Sequence, residues 1–420
     1  MKKILRLIII IPVTIGVLIG VFMAFRTQLN KSNVETKIEN IFGTSLTKNA
    51  EVTKFFTYGT SLNIEGRIPG ISKDNYEGMK IIVTDGDKYN KEYKARVSFD
   101  DNNLIFSLNN DINNAINLEE LQNNNKYYIR IRLKVNNSKD YRYYLLSNVS
   151  EYKDIDYYTL TRDGKNNKVQ IKFEKQTYND KEYKYLGISV NESKLPEDVY
   201  DFAIDAGHGG QKNGEYTEAA LMLSYAKNLK ESLEAKGYKV KLTRDDSNTS
   251  SFTHTNMYDD DGRIGIACKT HAKYMISLHT NDTKCAGVEV YAPNNSDLSL
   301  AKKIADNICA QTNLEYSSAN SFKQLDGVYV RNFRKGELSS SIYEVTVNTP
   351  YLYTIREVGG IATNAYVDGR NPKYSANKYY KSNQGIECYV VSIGDIDSPT
   401  DLDTLVNQRN EIVNAIADSF

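Results

Sequence analysis

The chain is 420 residues long, which leaves room for two or three domains with cores of their own. Its 53 basic and 53 acidic residues cancel, so it lacks the basic footprint of a nucleic-acid binder. The four cysteines, Cys268, Cys285, Cys309 and Cys388, fit neither a disulfide framework nor a Cys-x-x-Cys metal site. Cys268, Cys309 and Cys388 sit among apolar neighbours and read as small core residues.

Leu7 to Phe25 is apolar apart from Thr14 and is long enough to cross a bilayer. Lys2, Lys3 and Arg6 precede it, which keeps the extreme N-terminus in the cytoplasm and the rest of the chain outside. A cleaved signal peptide is the competing reading. The length of the run and the poor cleavage site at Phe22-Met-Ala-Phe25 argue against it. Residues 1–26 are therefore expected to anchor the chain in the cytoplasmic membrane by a single transmembrane helix, with the bulk extracellular. Residues 27–50, polar and uneven, read as a stalk.

Residues 51–193 follow a period of two. Ile129, Ile131, Leu133 and Val135 alternate with Arg130, Arg132 and Lys134, giving one apolar and one wet face. Leu104, Phe106 and Leu108 alternate likewise, as do Val169, Ile171 and Phe173. Asp163-Gly164 is a hairpin-turn signal between two such runs. Short strands with Asn-, Asp- and Gly-rich turns predict an all-β domain, a two-sheet β-sandwich of immunoglobulin-like type. It gathers no catalytic groups and reads as a spacer or an interaction module.

Pro196 marks a boundary, and in residues 194–420 strands alternate with helices. Lys239 to Thr243 and Tyr274 to Leu278 read as strands, and an apolar run begins at Val199. Glu218 to Lys236 reads as a helix with Met222, Tyr225, Ala226, Leu229 and Leu233 on one face and Gly237 as its stop. Leu300 to Thr312 and Asp401 to Phe420 read as further helices. This order predicts an α/β domain with a mainly parallel twisted sheet and flanking helices.

The chemistry gathers at two strand ends. Val199 to Gly210 closes an apolar run with His208 held between glycines, at the sheet edge where α/β folds bind ligands. His279 closes the second run, Tyr274-Met-Ile-Ser-Leu-His-Thr-Asn281, and Glu218 opens the amphipathic helix. Two histidines and one carboxylate leave a fourth position for water, the arrangement of a catalytic rather than a structural zinc site. Asp205 is a candidate to orient an imidazole by accepting its other N–H. Glu215 competes with Glu218 for the carboxylate role, and His254 and His271 read as ordinary polar residues.

Six pieces in order carry a resemblance. They are Ile204-Asp-Ala-Gly-His-Gly-Gly210, Glu218, Gly237-Tyr-Lys-Val-Lys-Leu-Thr-Arg-Asp245, Arg263, Ser277-Leu-His-Thr-Asn281 and Gly287-Val-Glu-Val-Tyr291. From about Val199 onward the chain resembles the zinc-dependent N-acetylmuramoyl-L-alanine amidases of the amidase-3 type, which detach the stem peptide from the glycan of bacterial peptidoglycan. The resemblance implies zinc held by His208, Glu218 and His279, and it favours Glu218 over Glu215 because Glu218 directly precedes Ala219-Ala-Leu-Met-Leu-Ser-Tyr225. It also implies peptidoglycan as substrate and admits partner cell-wall proteins.

The chain departs from the family pattern at Ala206, usually proline, at Lys212, usually aspartate, and at Ser392, where the family's general-base glutamate belongs. A hydroxyl is no base near neutral pH, and losing general acid–base help typically costs roughly 10²–10⁴-fold. Glu344, Glu357, Glu387, Asp395 and Asp397 are the carboxylates weighed as substitutes; an odd offset puts Glu387 on the other face of its strand. Two expectations follow: a membrane-anchored amidase, or an impaired amidase-like module that binds peptidoglycan or regulates a partner hydrolase. Another zinc peptidase class fits the ligand order less well.

Overall fold

The computed structural model describes residues 46–100, 102–108, 114–148, 154–159, 166–208, 211–245, 260–281, 285–293, 298–340, 349–358 and 385–420, with Met23, Ser296 and Val347 besides. The anchor apart from Met23, the stalk as far as residue 45, Asp163-Gly164, His254 and Glu344 lie outside the described residues. Among the described residues no helix is long and apolar enough to cross a membrane.

The N-terminal domain is all-β. Its alternating runs become strands Asn103–Leu108, Asn125–Val135 and Asn167–Tyr178, and their apolar positions Phe106, Ile129, Leu133 and Ile171 pack into one core. The first strand, Leu46–Tyr58, begins inside the segment read as a stalk. It pairs antiparallel with Ser61–Pro69 and parallel with Arg142–Asn148. One expectation needs correcting. Instead of two separate immunoglobulin-type sheets, the strands form one continuous hydrogen-bonded sheet. Asn125–Val135 brings this about. One edge pairs with Tyr76–Thr84, while the other pairs first with Lys181–Glu192 and then with Arg142–Asn148.

The C-terminal domain is a seven-stranded mixed sheet covered by helices. Its strands are β1 (Phe202–Ala206), β2 (Val240–Leu242), β3 (Tyr274–His279), β4 (Val288–Tyr291), β5 (Lys323–Leu325), β6 (Val328–Tyr329) and β7 (Glu387–Ile393). The order β2-β1-β3-β7-β4-β6-β5 has a parallel half, β2 to β7, and β4 then runs against β7. β1, β3 and β7 are buried along most of their length, as a sheet covered on both faces requires.

Helix α1 (Glu218–Ala235) is capped by Thr217, whose Oγ1 accepts from the Ala220 amide at 3.3 Å. It turns Met222, Tyr225, Ala226, Leu229 and Leu233 inward. Helices α2 (Arg263–Lys269), α3 (Leu298–Gln311) and α4 (Tyr353–Val358) follow. The single C-terminal helix expected from Asp401 onward is two, α5 (Pro399–Asn407) and α6 (Arg409–Ala417), because Gln408 leaves helical geometry at φ −117°, ψ 30°. Leu405, Ile412 and Ile416 still face the core.

The β domain docks where the C-terminal strands begin. The Gly59 amide donates to the Gly385 carbonyl at 2.7 Å, and Lys273, just before β3, pairs with Glu119 at 2.6 Å. A Cβ on Gly385 would collide with the backbone of Thr57, so only glycine fits there. Just beyond, the Ile386 amide donates to the Val358 carbonyl at 3.1 Å, joining the end of α4 to the start of β7.

Candidate active site

At the opposite end of the sheet, past the carboxyl ends of β1, β3 and β7, a cavity of about 770 Å³ is lined by His208, Glu218, His279 and Ser392 among others. His208 lies two residues beyond β1, His279 is the last residue of β3, and Glu218 is the first of α1. The turn that carries His208 runs against its partners. The Gly207 amide donates to the Leu278 carbonyl at 2.7 Å, and a Cβ there would collide with that carbonyl and come within 2.9 Å of the Glu218 and His279 side chains. Arg244, buried, clamps the same turn: its Nη2 donates to the Gly207 and Ala219 carbonyls, each at 2.7 Å.

Asp205 and Arg263 form a buried pair beneath the cavity. Arg263 Nε donates to Asp205 Oδ1 at 3.0 Å, and its Nη2 lies against Oδ2. Thr243 Oγ1 and Ser277 Oγ donate to the same carboxylate at 2.8 and 2.6 Å. Burial alone would push this carboxyl up, but the charge and hydrogen bonds of Arg263 outweigh it and hold it down at about 2.

This alters the role expected of Asp205. It takes no imidazole N–H directly; it acts through Ser277, whose Oγ also lies 3.1 Å from His279 Nε2. Ser277 has one hydrogen, and Asp205 receives it, so Ser277 accepts from His279 Nε2–H. The proton on Nε2 leaves the Nδ1 lone pair facing Glu218 Oε1 at 3.0 Å. Two acceptors in that position call for a cation between them, either a proton or a metal ion. Glu218 also accepts from the Thr280 amide at 3.2 Å. Burial raises its pKa, and the hydrogen bond and charge of His279 more than reverse this.

The second imidazole stands slightly apart. The His208 and His279 ring centroids are 5.9 Å apart, the planes at 80°. His208 Nε2 is 3.3 Å from Tyr353 Oη, and Arg263 Nη1 donates to that oxygen at 2.6 Å. Burial and then the Arg263 charge push His208 down to about 4, so the ring is neutral at physiological pH. Among the described residues no three His, Cys, Asp or Glu side chains already close around one point. The donor set still suits a metal: two imidazoles and a carboxylate on one cavity, with one histidine's tautomer fixed to expose a lone pair to the carboxylate.

Ser392 lies in the same cavity wall. It is the parallel cross-strand partner of His279 and the antiparallel partner of Glu289. Glu289 is 1% exposed and accepts from Tyr291 Oη and Ser317 Oγ, each at 2.7 Å. Of the carboxylates weighed as substitutes, Glu387 sits at the opposite end of β7 beside Gly59, where it accepts from Tyr389 Oη. Glu357 is buried against Arg356 at 2.9 Å. Asp395 caps its own loop by accepting from the Asp397 amide. Tyr353, Arg244 and the placement of Glu289 beside Ser392 escaped the sequence reading. The last of these is set by strand register, which a single sequence does not show.

The family model for Amidase_3, N-acetylmuramoyl-L-alanine amidase, matches residues 202–420, which is the C-terminal domain just described. The chain belongs to the Amidase_3 family. No curated relative matches it. Among solved structures, Cwp6 from Clostridium difficile is 18% identical over 53% of this chain and 28% of its own length, with a TM-score of 0.33. The catalytic domain of CwlV, an N-acetylmuramoyl-L-alanine amidase from Bacillus (Paenibacillus) polymyxa var. colistinus, is 16% identical over 52% of this chain and 94% of its own, with a TM-score of 0.32. The CwlD amidase from Clostridioides difficile, solved in complex with the GerS lipoprotein, is 16% identical over 52% and 95%, with a TM-score of 0.27. The Amidase_3 domain thus carries His208, Glu218, His279 and Ser392 on one cavity, and the strand-rich domain before it lies outside the family match.

Proposed function

We propose that the protein is a slow cell-wall amidase that holds one zinc ion through His208, Glu218 and His279 and hydrolyses the amide between muramic acid and the stem peptide of peptidoglycan. The observation that carries the zinc is the His279 Nδ1 lone pair turned onto the Glu218 carboxylate by the Ser277–Asp205 chain. When bound, zinc supplies Lewis acidity, polarising the scissile carbonyl and making water acidic enough to attack at neutral pH. The chain's own part is to fix tautomers and geometry. Asp205 and Ser277 hold the Nε2 proton of His279, Arg244 clamps the His208 turn, and the buried cavity floor excludes bulk water.

The proton taken from the attacking water has no carboxylate to receive it at position 392. That predicts turnover reduced by roughly 10²–10⁴-fold from a family member with glutamate there. Metal analysis of the purified protein should give one zinc per chain, falling far below that in His208→Ala or His279→Ala. Product analysis on purified peptidoglycan should show slow release of stem peptides with a free alanine amine. Zinc well below one per chain and unchanged by those substitutions would sink the zinc assignment.

The Ser392 position also supports a second reading, a silent module that binds muropeptide or regulates a partner hydrolase. Bound zinc, muropeptide binding and no released stem peptide would establish that instead. For placement, we propose a single-pass anchor at Leu7–Phe25 with the domains on the outer face of the cytoplasmic membrane, supported by Lys2, Lys3 and Arg6. A C-terminal reporter that works only in the cytoplasm should be inactive.

A further inference from the structure

The geometry points to a sugar-binding subsite in the cavity wall, in which the Tyr351 ring stacks on a pyranose of the glycan. This rests on the amidase reading, which supplies the substrate. Three separate stretches build that wall. Phe322 stands immediately before β5, Arg331 follows β6 and Tyr351 precedes α4, and all three line the cavity that holds His208, Glu218 and His279.

The Arg331 guanidinium lies between two rings, 4.2 Å from the Phe322 centroid and 3.9 Å from that of Tyr351. Phe333 packs on Tyr351 as well, with centroids 5.1 Å apart and planes at 60°. Backbone bonds tie the stack together. The Tyr351 amide donates to the Arg331 carbonyl at 2.8 Å, and the Phe333 amide donates to the Thr349 carbonyl at 3.1 Å. The Tyr351 ring is thus set before any ligand arrives, yet the residue remains 42% exposed. An aromatic side chain gains most by burial, so one held in place and left accessible in a cavity has a contact to make.

Phe322 adds a second sign. It adopts φ +68°, a left-handed conformation that bulky residues rarely take. Its carbonyl is held by the Val330 amide at 3.0 Å, and its ring carries Arg334 at 4.4 Å besides Arg331. Backbone strain of this kind gathers where ligands are clamped.

Charge decides which part of the substrate the wall takes. Glu337 accepts from Arg331 Nη1 at 3.1 Å and from Nη2 at 2.5 Å. The cation is neutralised within the wall, which removes the attraction for a stem peptide ending in a carboxylate. A pyranose is neutral. Its C–H face is flat, apolar and weakly positive, and it complements the negative face of an aromatic ring. Its hydroxyl and acetamido groups need hydrogen-bond partners, which Asn320 and Ser321, exposed on the same wall, supply.

The test titrates the full-length protein with two probes, followed by NMR. One is the peptide-free disaccharide of N-acetylglucosamine and N-acetylmuramic acid, capped as the uncharged muramoyl amide. The other is the sugar-free stem peptide. Tyr351→Ala should weaken disaccharide binding roughly 10-fold, and Tyr351→Phe, which keeps the ring, should hold it within about two-fold. The stem peptide should bind wild type and both variants alike. In the wild type the pyranose protons should move upfield on binding, as protons over an aromatic face do, a readout that needs no variant. Equal disaccharide affinity in wild type and Tyr351→Ala would overturn the subsite. So would a loss confined to the stem peptide, or a wild type that leaves the disaccharide unbound at millimolar concentration. Failure of the amidase reading looks different. Tyr351-dependent disaccharide binding with no stem peptide released from peptidoglycan keeps the subsite and removes turnover. Stem-peptide release by a protein whose disaccharide affinity ignores Tyr351 keeps turnover and removes the subsite.

Discussion

The two domains bury very different things. Among the described residues of the β domain, Asp85 is the buried charged side chain, and the rest of the interior is aliphatic and aromatic with a few neutral polar groups. The Amidase_3 domain buries Asp205, Glu218, Arg263, Glu289, Arg356 and Glu357, all within a few per cent of complete burial. Burying a charge is costly unless it is paired and hydrogen-bonded, so a fold that carries several has them because position matters more than stability. The contrast shows where function resides: the β domain is built for shape, and the amidase domain accepts an electrostatic cost at one edge of its sheet.

The largest expected effect tests that contrast directly. Asp205→Ala strands the buried Arg263 guanidinium and should destabilise the amidase domain by about 3–5 kcal/mol. Thermal unfolding followed by proteolysis should show residues after about 200 lost first, with the β domain melting unchanged. Removal of the exposed Lys175–Glu182 pair of the β domain, in which both side chains are more than half solvent-accessible, should cost under about 1 kcal/mol. Equal losses in the two domains would break the comparison.

Next in size is a gain. Ser392→Glu restores a carboxylate beside His279 and should raise turnover roughly 10²-fold. It also sets that carboxylate directly across from Glu289, and like charges opposite one another on a sheet repel. Ser392→Glu combined with Glu289→Gln should therefore be more stable than Ser392→Glu alone. Robust wild-type cleavage, indifferent to residue 392 but abolished by Glu357→Gln or Asp395→Asn, would relocate the base.

The smallest effect is in pH. In metal-free protein His208 titrates at about 4 when folded, against an ordinary 6.5. Its folded pKa is the lower one, so below pH 6.5 the unfolded chain takes up the proton first. Stability should fall as pH drops from about 6.5 towards about 4. Asp205, held at about 2, adds stability above its ordinary pKa that is lost between about 4 and about 2. Melting temperature measured against pH in chelator should decline by a few degrees over the upper window, and His208→Asn should flatten that part. The β domain, measured through its own unfolding, should not share the slope.

Much of this was legible from residue order alone. A period of two picks out strand faces, and a period of 3.6 turns Met222, Leu229 and Leu233 of α1 to the core; both are local consequences of backbone geometry. His208, Glu218 and His279 stand at element ends that local pattern locates. Pairing is non-local, which is why the continuous sheet of the β domain and the Glu289–Ser392 register were hidden. The link from Asp205 to His279 passes through the Ser277 hydroxyl, two residues before that histidine, a contact that sequence spacing does not show. Tyr353 lies in a stretch without periodicity, and only the folded chain shows what its hydroxyl touches.

The hydrogen bond from Ile386 to the Val358 carbonyl has a consequence for how this gene could change. The bond holds Val358 and Ile386, which are 28 positions apart in the sequence, side by side at 3.1 Å. Lengthening a closed loop adds only about 0.6 kcal/mol per doubling. Evolution could therefore change the number of residues between these two positions at little cost in closure entropy, because the start of β7 is already tied to the end of α4.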